Sequence, residues 1–78
     1  MVRWFTQHGI VVRVDWEKRT VNRYNSNGTL WARSHGEVSP SALNSWPRVA
    51  QTGDAGVVEI DDPFTPKCQV WMGPEEAL

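Results

Sequence analysis

Between Ile10 and Arg33 apolar and polar residues alternate in short runs that turn residues interrupt at hairpin spacing. The pattern predicts a three-stranded antiparallel meander. Asn27-Gly28 is the preferred central pair of a type I′ turn, which sets Tyr24 opposite Trp31, Arg23 opposite Ala32 and Asn22 opposite Arg33. A first turn at Lys18-Arg19 sets Trp16 opposite Val21, Val14 opposite Arg23 and Arg13 opposite Tyr24. The two registers sort the side chains consistently. One face gathers Val12, Val14, Trp16, Val21, Leu30 and Ala32, with Arg23 as the sole intruder, and reads as core. The other gathers Val11, Arg13, Asp15, Thr20, Asn22, Tyr24, Thr29, Trp31 and Arg33, and should meet solvent or a partner.

Beyond the meander, Ser39 to Pro47 reads as a short helix with Ser39 as N-cap, Pro40 at its first position and Pro47 as its stop. Leu43 and Trp46, three residues apart, share its apolar side. Gln51 to Ala55 reads as a loop and Gly56 to Ile60 as a further strand ended by Asp61-Asp62-Pro63. Lys67 to Met72 reads as a fifth strand ended by Gly73-Pro74, and Glu75 to Leu78 as an acidic tail. A chain of 78 residues supports a single core. The expected fold is one mainly β domain over residues 1–78, a five-stranded antiparallel meander or SH3-like barrel with one short helical turn at about residues 40–46.

Charge changes this picture. Residues 1–36 carry six cations against two anions, a net +4, and residues 37–78 carry two cations against seven anions, a net −5. The overall −1 hides a dipole that bears on partners and steering. Cys68 is the only cysteine, and no apolar signal segment follows Met1, which points to a reducing, cytoplasmic setting. No apolar run reaches the length of a membrane span.

Little in the chain points to catalysis. His8 and His35 lie at the margins of the expected sheet, and Cys68 alternates with Val70 and Met72 as a small buried hydrophobe would. No zinc-ligand spacing or phosphate-binding glycine loop occurs, so neither enzyme activity nor a cofactor is expected. The notable constellation is Arg13, Tyr24, Trp31 and Arg33 on the outward face, with Lys18 and Arg19 at one end. Trp, Tyr and Arg dominate the energetics of protein interfaces. The same residues could stack bases and neutralise phosphates.

The expectation is a non-enzymatic binding protein that docks on a protein or nucleoprotein complex. A small chain with these features resembles the standalone inhibitors with which phages and mobile elements occlude host machinery such as a polymerase or a CRISPR effector. A nucleic-acid-binding barrel, a structural subunit of a larger assembly, and a homodimer joining basic to acidic surface are the alternatives.

The run Gly9-x-Val11-x-Arg13-x-x-Trp16, followed by Asn22-x-Tyr24 and Asn27-Gly28, faintly resembles the second half of the Mind-bomb/HERC-type module of large ubiquitin ligases. That resemblance implies an SH3-like barrel used for peptide binding. The family's first half, its paired glycines and its closing Tyr-Asp-Leu are absent, and the likeness is one of hairpin chemistry.

Overall fold

The computed structural model describes residues 1–64 of the chain. Five strands, β1 (Val2–Gln7), β2 (Ile10–Asp15), β3 (Thr20–Tyr24), β4 (Leu30–Arg33) and β5 (Val57–Ile60), form one antiparallel sheet in the order β4-β3-β2-β1-β5. The fold is thus mainly β with five strands, as expected, in the form of a four-stranded meander with β5 added beside β1. The strand expected at Lys67 to Met72 and the acidic tail lie outside the described residues.

β1 is the strand the sequence pattern does not reveal. Trp4 and Phe5 are adjacent and apolar, which breaks the alternation, although one faces each side of the sheet. The β1–β2 loop is His8-Gly9, with φ of 51° and 82°. Positive φ at both positions is what a type I′ turn requires, and Gln7 accordingly faces Ile10.

The next two turns correct the expected registers. Between β2 and β3 the loop is Trp16 to Arg19, and Val14 faces Val21 rather than Arg23. Asp15 makes the longer turn: its Oδ1 accepts the N–H groups of Glu17 at 2.9 Å and Lys18 at 3.0 Å. The offset is two residues, an even number, so every side chain keeps its predicted face.

Between β3 and β4 the turn is sited correctly, but only Gly28 has positive φ. Gly28 N–H bonds Asn25 O, and Asn25 N–H bonds Thr29 O, both at 2.9 Å. This longer loop places Tyr24 opposite Leu30 instead of Trp31. A bulge then restores Arg23 opposite Ala32, leaving Trp31 as the extra residue.

The helix α1 (Pro40–Thr52) is longer than expected. Ser39 caps it, its Oγ accepting the Ala42 N–H at 3.3 Å. Pro47 lies inside it, and the end comes at Gly53 in the left-handed conformation, so Gln51 and Thr52 of the expected loop are helical. A 3-10 turn (Asp54–Gly56) leads into β5.

α1 lies on the inner face. Phe5, Val12, Val14, Val21 and Val57 from the sheet and Leu43 from the helix form the buried core, with Trp16, Val38, Trp46, Val49 and Ala50 packed against it. Leu43 and Trp46 share the core side as predicted, and Trp46 meets Phe5 at 5.9 Å. The intruder Arg23 is explained: its guanidinium stands 5.7 Å over the Trp46 ring. Leu30 leaves the predicted core because the bulge puts it in register with Tyr24 on the outer face, where it is 39% exposed.

Candidate partner-binding surface

The register aligns Ile60, Trp4, Arg13, Asn22 and Arg33 across all five strands in one row of the outer face. The adjoining row holds Val58, Thr6, Val11, Tyr24 and Leu30. Beyond β5 the chain turns back over this face, and Phe64 meets Trp4 at 5.5 Å and Tyr24 at 5.7 Å, both edge-on. Trp4 and Tyr24 themselves stand 6.0 Å apart. The three rings form a small second core, which accounts for the burial of Val11 beneath an otherwise polar face.

This arrangement splits the residues singled out from the sequence. Arg13 belongs to the aromatic cluster: its guanidinium carbon lies 5.9 Å from the Trp4 ring centre, and Nη1 reaches Asp15 Oδ2 at 3.4 Å. Asp15, expected at the surface, is only 3% exposed. The Lys18 N–H above all, then the Glu17 N–H and the Arg13 cation, hold its carboxyl below the usual carboxylate range against the opposing cost of burial. Tyr24 is half-buried among Trp4 and Phe64 rather than beside Trp31.

Trp31 and Arg33 form a separate group on the edge strand β4. Trp31 is 60% exposed and has no ring partner among the described residues. Arg33 is exposed and has no carboxylate partner among them. Lys18 and Arg19 sit at the end of the sheet to which Arg33 points the chain, since Ser34 N–H bonds Val21 O at 2.9 Å and Val38 N–H bonds Arg19 O at 2.8 Å. Arg19 also lies 3.7 Å from Glu37, an exposed pair.

The opposite edge carries the acids. Glu59 on β5 binds Arg3 through two bonds, Nε to Oε2 at 2.8 Å and Nη2 to Oε1 at 2.6 Å. That bond, the largest effect at both groups, holds the Glu59 carboxyl below its ordinary range and raises Arg3. Asp61 and Asp62 follow directly in the chain.

Chemistry-bearing side chains are dispersed. His8 occupies the β1–β2 turn and His35 the loop after β4, at opposite ends of the strands. Among the described residues no group of three or more His, Cys, Asp or Glu could hold a metal ion, and no helix is long and apolar enough to cross a membrane. Cys68 lies outside the described residues. Comparison with protein-family models, curated proteins and solved structures returned no match.

Sequence reasoning missed Trp4 and Phe64, because neither lies in the meander predicted between Ile10 and Arg33. Leu30 was assigned to the wrong face. The available signal was the apolar pair Trp4-Phe5, which places one large ring on each side of any strand that contains it.

Proposed function

We propose that this chain is a non-enzymatic binding protein that docks on a macromolecular partner, foremost a protein, through the β4 side of its sheet. The carrying observation is Trp31, a large ring held on an edge strand by a bulge and left mostly in water. Leu30 and Arg33 flank it, giving the Trp-plus-Arg composition of an interface anchor. Occlusion of a site on a larger protein or nucleoprotein complex is the action such a surface serves.

A protein is favoured over nucleic acid because the cations are largely engaged. Arg3, Arg13 and Arg19 each face a carboxylate, and Arg23 lies over Trp46. Phosphate binding draws on unneutralised Lys and Arg, each contributing to the salt dependence of affinity. Lys18 and Arg33 alone make a short electrostatic footprint on this side.

Affinity capture from host lysate, with and without nuclease, tests the reading by comparing wild type with Trp31→Ala/Arg33→Ala. Both residues are exposed, so the double variant should stay folded, with stability within about 0.5 kcal/mol per site. A protein retained through nuclease treatment and lost in the variant supports the proposal. Recovery abolished by nuclease moves the reading to nucleic acid, and equal recovery by the variant removes β4 from the interface.

A further inference from the structure

The other edge of the sheet differs from β4 in one decisive respect: its ladder is regular. Trp16 N–H bonds Met1 O at 3.0 Å, so the odd residues of β1 direct their backbone groups at β2 and the even ones at β5. Thr6 and Trp4 therefore bond Val58 and Ile60, their partners in register. It follows that Glu59 turns both its N–H and its C=O, and Val57 its C=O, away from the sheet at the two-residue spacing of an antiparallel ladder, while the Val57 N–H is taken by Asp54 O in the 3-10 turn. No strand among the described residues lies beyond β5. On β4 the bulge breaks that spacing, because the residues in wide pairs there are Leu30 and Arg33.

We infer that β5 is a self-association edge, on which a second copy of this chain pairs β5 to β5 about a twofold axis to give one continuous sheet. The occupant is argued from self-complementarity. Antiparallel pairing through Val57 and Glu59 allows two registers that use most of the strand. One sets Glu59 opposite Glu59 of the second copy, and like charges directly opposite destabilise a sheet. The other sets each Glu59 opposite Val57 and brings the two Val58 side chains together on the axis. Val58 is 56% exposed in the single chain. The second register covers it with its own equivalent, leaves Arg3 and Glu59 paired, and lets the Glu59 N–H of each copy donate to the Val57 C=O of the other. An isologous contact of this kind closes on itself and stops at two chains.

The test is sedimentation of the full chain over a range of concentrations, beside Val58→Lys and Trp31→Ala. Val58 is mostly in water, so lysine there should fold, and lysine on an edge opposes strand addition. The expected result is a concentration-dependent dimer for wild type and Trp31→Ala, and a monomer for Val58→Lys. Hydrogen exchange supplies an independent reading: the amide of Glu59 slows as dimer forms, while those of Val57, already bonded to Asp54 O, and Val58, already bonded within the sheet, are unchanged by concentration. A wild type that stays monomeric overturns the inference, as does a dimer that survives Val58→Lys or is lost in Trp31→Ala. A dimer in which the Glu59 amide stays unprotected also overturns it.

Discussion

At the scale of single residues, the carboxylates are the most informative groups. Asp15 closes a turn, faces Arg13 and is buried, so removing its charge weakens several contacts together. Its folded-state pKa and that of Glu59 are both lowered. The unfolded chain therefore takes up protons more readily, and the stability these groups contribute is complete above the ordinary carboxylate value of about 4. It is lost as pH falls through about 4 toward the lower folded values. Thermal unfolding followed from neutral pH down to about pH 2 should show the midpoint falling in that acid window. Asp15→Asn retains the acceptor oxygen and removes the titration, so its melting temperature should depend less steeply on pH there. Glu59→Gln should remove a smaller share, since the Arg3 pair is partly in solvent, where screening weakens it. Slopes identical to wild type in both variants would contradict the assignment.

At the scale of elements, the sequence was readable where turn chemistry and side-chain alternation agreed. Asn27-Gly28 marked the third hairpin and Ser39-Pro40 the helix start, and both are where they were expected. Details that depend on a loop's length were not readable. The sequence shows that Asn27-Gly28 turns, but not that Asn25 and Ser26 join the loop, and that difference separates Tyr24 from Trp31. Asp15 likewise lengthens the first turn through side-chain bonds that alternation does not encode. The even offset preserved the faces, which is why Arg13 and Tyr24 share the outer face as expected, although Arg13 stands opposite Asn22 and Tyr24 opposite Val11, and their true neighbours, Trp4 and Phe64, were missed. Pro47 was read as a stop because a proline inside a helix has no N–H for the carbonyl four residues back, here that of Leu43. The helix continues because Val49 and Ala50 still pack on the core. The lost bond and ring crowding cost about 3 kcal/mol in a helix interior, offset by about 1 kcal/mol of unfolded-chain entropy. Pro47→Ala should therefore raise stability by about 2 kcal/mol, measured by urea denaturation. An unchanged or lower midpoint would show that the proline fits this helix without penalty.

At the scale of the whole molecule, the charge division along the sequence becomes a division across the sheet. Arg33, Lys18 and Arg19 lie toward β4, and Glu59, Asp61 and Asp62 lie at or just beyond β5, because chain order nearly follows strand order outward from the centre. The two edges thus serve different contacts in the proposals above, and both depend on one thin core that holds the sheet to α1. Leu43 is the only fully buried residue α1 contributes to that core. A chain of this size has about 4 to 12 kcal/mol of total stability, and truncating a buried leucine costs about 2 to 5 kcal/mol. Leu43→Ala should therefore consume a large share of the whole and lower the urea midpoint sharply. Because Trp46 and Phe5 pack across the same contact, loss of helix and loss of the tryptophan environment should coincide in one transition. Helical signal that disappears first, with the sheet still folded and Trp31 still able to engage a partner, would show that α1 is a dispensable cover and that the five strands hold together without it.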